Sequence, residues 1–118
     1  MADRKVELVP LYDWGMFTEP RPSVIAGPCS AETKEQVMET AKGLKDLGIN
    51  VFRAGIWKPR THPGSFEGIG VEGLGWMQQV KKEYGLKIST EVASERHVFE
   101  CIKFGVDLVW LGARTTAN

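Results

Sequence analysis

Four short runs of apolar and β-branched residues punctuate the chain, at 24–26, 51–56, 87–92 and 108–111. Each is nearly continuous rather than alternating, the pattern of strands covered on both faces. Between them the period changes to that of helices. The first helix starts near Thr33, with Gln36 three residues on as a capping box; it presents Val37, Ala41, Leu44 and Leu47, and stops at Gly48. The second carries Leu74, Met77, Val80 and Tyr84 and stops at Gly85. Ser94 caps the third, which presents Val98, Cys101 and Ile102 and ends at Gly105. Strand–helix–strand alternation with short returns predicts an α/β fold with a parallel sheet of four strands and three helices. Residues 1–22, with Pro10, Pro20 and Pro22, read as an N-terminal arm, and residues 23–118 as the sheet-forming unit. The sequence ends on its fourth strand, whose open edge predicts pairing with another copy, hence a homo-oligomer.

Composition narrows the partners. With 118 residues the chain holds one domain at most, and its 15 basic residues balance 15 acidic ones. No global charge draws it to nucleic acid or to an anionic membrane, so attraction for anions has to be local. Charges near the N-terminus replace the apolar stretch of a signal peptide, and no apolar run reaches spanning length. Two cysteines, Cys29 and Cys101, make no disulfide framework. A cytoplasmic setting is expected.

The chemistry lies at the end of each strand and in the loop after it. The first run leads into Gly27-Pro28-Cys29-Ser30, and the second contains Arg53 and leads into Lys58-Pro59-Arg60-Thr61. The third finishes with Thr90-Glu91, the fourth with Gly112-Ala113-Arg114-Thr115-Thr116. Polar groups thus gather at one end of the sheet, where barrels and doubly wound folds build their sites. Arg53 is the hardest to dismiss, because an unpaired cation inside a strand costs several kcal/mol, on the order of 3–5, to bury. It requires Glu91, a ligand or open water. Four cations, Arg53, Lys58, Arg60 and Arg114, exceed what one carboxylate needs, and arginine forks suit phosphate and carboxylate.

Cys29 reads either as a small buried hydrophobe or, in its strand-to-loop turn, as a thiolate ligand or nucleophile. Cys101 lies on a helix stripe and reads as core. His62 and His97 are expected to be exposed, without companions at ligand spacing. Trp57, beside Lys58, is the tryptophan placed to wall a pocket. Gly68-Ile69-Gly70-Val71-Glu72-Gly73 matches a dinucleotide fingerprint but does not follow its strand directly, so a nucleotide site is not expected.

Taken in order, Ile25-Ala-Gly-Pro-Cys-Ser-Ala-Glu32, Phe52-Arg-Ala-Gly-Ile-Trp-Lys-Pro-Arg-Thr61, Pro63-Gly-Ser-Phe-Glu-Gly68, Thr90-Glu-Val92 and Gly112-Ala-Arg-Thr115 resemble the type I, β-type 3-deoxy-D-arabino-heptulosonate 7-phosphate (DAHP) synthases. The likeness runs from about residue 22 to the end. It implies the N-terminal half of a (β/α)8 TIM barrel and a transferase of the shikimate pathway, leading to aromatic amino acids. Phosphoenolpyruvate would condense with erythrose 4-phosphate, releasing phosphate, with a divalent metal such as manganese, iron or zinc. By motif, Cys29 matches a metal ligand. Arg53, Lys58 and Arg114 match residues holding phosphoenolpyruvate, with Lys58 also a candidate proton donor. Arg60 and Thr61 match the clamp on the sugar phosphate, and Glu91 a residue lining the cavity. Glu67 stands where many relatives have glutamine.

The family's other metal ligands, with a further lysine and arginine, fall beyond Asn118, so the 118 residues alone are expected to be inactive. The alternative within the same chemistry is 3-deoxy-D-manno-octulosonate 8-phosphate synthase. That family carries Lys-Ala-Asn-Arg where this chain has Lys58-Pro59-Arg60-Thr61, so the loop favours the four-carbon sugar. A non-catalytic half-barrel kept for binding or assembly is the alternative outside enzymology. Some relatives carry a C-terminal chorismate mutase domain, on which these residues are silent.

Overall fold

A computed structural model describes residues 7–17, 22–57 and 68–113 of the chain. After a 3₁₀ turn at Leu11–Trp14 come β1 (Ile25–Ala26), α1 (Lys34–Asp46), β2 (Val51–Arg53), α2 (Val71–Tyr84), β3 (Lys87–Val92), α3 (Glu95–Lys103) and β4 (Leu108–Leu111). The four strands are parallel and lie side by side in chain order. Such winding without a reversal is that of a barrel wall, whereas a doubly wound nucleotide fold turns back on itself. The expected fold class, half of a (β/α)8 barrel with four strands and three helices, is borne out.

The helix starts form as the capping chemistry predicts. Gln36 N–H donates to Thr33 Oγ1 at 3.1 Å, and His97 N–H to Ser94 Oγ at 3.2 Å. Gly85, at φ +69°, closes α2 in the left-handed conformation. The core lies between the helices and the outer face of the sheet. Phe52, Ile56, Leu74, Met77, Val80, Leu86 and Ile88 are fully or almost fully buried there, with Val37 and Ala41 from α1. Each large side chain so removed from water contributes roughly 1.5–3 kcal/mol.

Three expectations shift. The second strand was expected over 51–56, but its ladder is assigned only to Arg53. The backbone beyond stays tied to β3, with Ala54 N–H donating to Ser89 O at 3.1 Å. Leu47 and Ile102, expected in core stripes, are 79% and 69% exposed. Leu47 is the C-terminal cap of α1, where the helix has already ended. Ile102 lies on the flank of α3 where Phe99, Val109 and Leu111 are also exposed, because no further described element packs beyond β4.

The glycine-rich decoy is structural. Gly70 N–H donates to Ile56 O at 2.8 Å, and a Cβ on Gly73 would strike the side chains of Ile56 and Ile69. These glycines let α2 start flush against Ile56, in the segment that follows β2, which is a packing role. Among the described residues no helix is long and apolar enough to cross a membrane.

Candidate functional site

The carboxyl ends of the strands are joined before any side chain is considered. A Cβ on Gly27 would collide with the backbone carbonyl of Arg53, so the end of β1 can lie against β2 only with glycine there. Ala31 N–H then donates to Gly55 O at 2.9 Å. Gln36, the capping residue of α1, reaches back with its side chain: Glu32 N–H donates to Oε1 at 2.7 Å, and Nε2 donates to Ser30 O at 3.1 Å. The Gly27-Pro28-Cys29-Ser30 turn is thereby held from both sides. Cys29 is exposed on it and is not joined to Cys101 in a disulfide.

Arg53 projects from the face of the sheet turned away from the helices, the inner face of the barrel wall. Its Nη2 donates weakly to Pro28 O and Cys29 O, both at 3.4 Å. Its guanidinium lies over the Trp110 ring, 5.0 Å from the centroid. Its Nε is buried with no hydrogen-bond partner among the described residues. The ion pair with Glu91 that the sequence offered as one possibility does not form. Glu91 instead accepts from Trp110 Nε1 at 3.2 Å, and a Cβ on Gly112 would come within 2.5 Å of its carboxylate. Arg53 and Trp110, with Leu11, Ile25, Leu108 and Val109, line a cavity of about 420 Å³. Ser30 Oγ and Ser89 Oγ are likewise buried without partners among the described residues. The carboxyl end therefore holds a cation and buried polar atoms that no described residue satisfies, a setting suited to a polar ligand.

Lys58, Arg60, Thr61, Glu67, His62 and Arg114 lie outside the described residues. Of the sequence-derived candidates, the structure thus brings together Cys29, Arg53 and Glu91. Cys101 is buried, and burial, with Glu100 beside it, pushes its thiol up to about 11; it packs the core, as its stripe suggested. His97 departs from expectation. It is half-buried and stacked face to face on Trp57, ring centroids 3.9 Å apart and 3° from parallel, and its Nδ1 accepts from Ala93 N–H at 3.0 Å. Burial first and Arg96 second lower its pKa. Trp57 does wall a cavity, of about 280 Å³, between the starts of α2 and α3. A larger hollow, about 850 Å³, runs along Gly75, Gln78, Gln79, Lys82 and Glu83 of α2 and touches no candidate residue, so its size carries no functional weight.

Trp110 was missed. Half of its signal was available, since alternation along the fourth run puts it on the inner face with Leu108; its pairing with Glu91 comes from the register of the sheet.

The metal implied by the resemblance finds only part of its site here. A cysteine thiolate suits a borderline divalent ion such as zinc or iron. Yet no cluster of three histidine, cysteine, aspartate or glutamate side chains able to hold one occurs among the described residues. Cys29 can contribute one donor and the described residues do not complete the set.

Comparison with known proteins is consistent with this geometry. The model of the DAHP synthetase I family matches residues 17–118. Phospho-2-dehydro-3-deoxyheptonate aldolase of Thermotoga maritima is 41% identical over 104 residues, which is 88% of this chain and 29% of that protein. The 2-dehydro-3-deoxyphosphooctonate aldolase of Vesicomyosocius okutanii is 42% identical over 84 residues, 65% of this chain and 30% of its own length. The crystal structure of the Thermotoga maritima DAHP synthase superposes with a TM-score of 0.70 at 42% identity, covering 76% of this chain and 26% of that one. A truncated form of the 3-deoxy-D-arabino-heptulosonate 7-phosphate synthase from that organism gives 0.63 at 34% identity, over 76% of this chain and 30% of its own. The chain spans less than a third of the length of these relatives.

Proposed function

Because this chain belongs to the DAHP synthetase I family, we propose that it supplies the substrate-holding half of a synthase condensing phosphoenolpyruvate with erythrose 4-phosphate. The observation that carries the proposal is Arg53: a cation set into the inner face of a parallel sheet, resting on two long carbonyl contacts and an indole rather than on a carboxylate. Such a guanidinium is prepared for the carboxylate or phosphate of phosphoenolpyruvate. Lys58 and Arg114 are proposed to share that anion, with Lys58 also able to deliver a proton. Arg60 and Thr61 are proposed to hold the phosphate of the sugar, and Glu91 to line the cavity between them.

Each clamp fixes one reactant, so that the methylene carbon of phosphoenolpyruvate and the aldehyde carbon meet in a near-attack arrangement. The cations also balance charge on the phosphate that leaves. When bound, a divalent metal would polarise the aldehyde, with Cys29 one of its ligands. The described residues do not complete its site. The reading includes the first step of the shikimate pathway, a cytoplasmic setting, a homo-oligomer, and an arm at residues 1–22 distinct from the barrel unit at 23–118.

The second reading rests on the octulosonate-type relatives, which match at similar identity over a shorter stretch. Product analysis separates the two. The protein as its gene encodes it, given phosphoenolpyruvate and manganese, is expected to yield a seven-carbon product with erythrose 4-phosphate and none with arabinose 5-phosphate. An eight-carbon product alone would overturn the assignment. In the same assay the 118 residues by themselves are expected to give no turnover.

A further inference from the structure

Arg53 and Glu91 stand on neighbouring strands and on the same inner face. Arg53 is in register with Ser89, and Glu91 is two residues further along β3, one full pleat on. An arginine and a glutamate so placed, partly withdrawn from water, would ordinarily close on each other in a two-point fork. They do not. Each instead meets the indole of Trp110, whose two kinds of surface answer the two charges separately. The electron-rich face takes the guanidinium at 5.0 Å, and the Nε1–H on its edge donates to Glu91 Oε1 at 3.2 Å. Gly112, just past the end of β4, has no side chain, and the Glu91 carboxylate occupies the space a Cβ there would take.

We propose that Trp110 is a positioning residue that keeps Arg53 and Glu91 from neutralising each other, and so leaves the guanidinium open to an anionic substrate. This inference deepens the functional reading above and rests on it for the identity of the anion. The buried Arg53 Nε, without a partner among the described residues, marks the direction in which the ligand's oxygen is accepted. The arrangement separates two demands that conflict in a simple ion pair. The cation has a nearby surface that tolerates it when the site is empty, yet it is not bound so tightly that the substrate has to displace a carboxylate.

The test has a structural arm and a kinetic arm, both on the protein as its gene encodes it. In a crystal structure of Trp110→Leu, Arg53 is expected to swing onto Glu91 and form the direct ion pair. Arg53 left where it is, with Glu91 apart, would overturn the proposal. In steady-state kinetics Trp110→Leu should raise KM for phosphoenolpyruvate roughly tenfold with a smaller change in kcat, since a cation already paired binds its anion less well. Trp110→Phe keeps the ring face and loses the N–H, and should fall between.

The decisive variant is Trp110→Leu with Glu91→Gln. Removing the carboxylate removes the collapse, so KM should return to the value of Glu91→Gln alone. A tryptophan that merely packs would give no such rescue, and additive losses would sink the proposal. Should the unaltered protein take up no phosphoenolpyruvate at all, the functional reading falls, while the Trp110→Leu structure still decides whether Trp110 holds the two charges apart.

Discussion

The two ends of this sheet treat charge in opposite ways. At the amino end, Lys81 of α2 donates to Gly105 O at 2.8 Å and to Asp107 Oδ1 at 3.0 Å, while Asp107 Oδ2 accepts the N–H of Ile88 at 3.0 Å. One lysine and one aspartate there seal the corner between α2, β3 and the start of β4. At the carboxyl end, Arg53 rests on long contacts and on an aromatic face, and buried atoms of Ser30 and Arg53 lack partners among the described residues. The difference teaches how to read charge in a parallel sheet. A closed pair at the amino end stabilises the fold, whereas an open cation at the carboxyl end costs stability and, under the proposed function, is kept for binding.

The sharpest way to break this contrast is to remove Arg53. Arg53→Leu should lower kcat/KM for phosphoenolpyruvate roughly a hundredfold, the scale of a lost charge-assisted contact. Urea unfolding of the same variant should show stability unchanged or slightly raised, because a half-buried cation whose Nε no described residue satisfies has gone. A loss of stability without a loss of substrate affinity would make Arg53 a structural residue and erase the comparison.

Asp107→Ala tests the other end and should do the reverse. It orphans the Ile88 N–H and strands the Lys81 ammonium, at a cost of about 1–3 kcal/mol in unfolding free energy. Most of that belongs to the backbone N–H. The lysine side chain is 37% exposed, and water screens its share of the pair. KM for phosphoenolpyruvate should stay within about twofold, since a site this far from the substrate loses no contact with it. A change in KM as large as that of Arg53→Leu would deny that the two ends are separate.

How much of this was legible depended on whether a feature is local. Caps at Thr33 and Ser94, the stop at Gly85 and the presence of four strands follow from short-range chemistry and stand as read, though the second strand closes at Arg53 rather than at residue 56. The placement of Cys29, Arg53 and Glu91 at one end followed from their offsets within strands. Exposure was harder. Periodicity told which face of α3 is apolar but not whether anything covers it, and so Ile102 was misjudged. Pairings between strands were harder still, because register is set by the whole sheet. Glu91 turned to Trp110 rather than to Arg53, and His97 found Trp57 forty residues away, for reasons no window of sequence contains. The convergence of Lys58, Arg60, Thr61 and Arg114 concerns residues outside those described.

The smallest effect concerns His97, which lies toward the carboxyl side but behaves as the amino end does, with its polar atom satisfied. Its Nδ1 accepts the Ala93 N–H, so the neutral ring fits the fold and the protonated one, having lost that lone pair, does not. Burial and the neighbouring Arg96 both lower its pKa in the folded state. The unfolded chain therefore binds the proton first as pH falls. The contribution of His97 to stability should be complete above its ordinary value of 6.5 and disappear as pH drops through the lowered folded value. Thermal melts across that interval should fall more steeply for the unaltered protein than for His97→Asn, which cannot titrate. Tryptophan fluorescence should change over the same interval as the ring stacked on Trp57 gains charge. Parallel melting curves for the two proteins would mean that the stack is indifferent to protonation, and that the ring is held by packing alone.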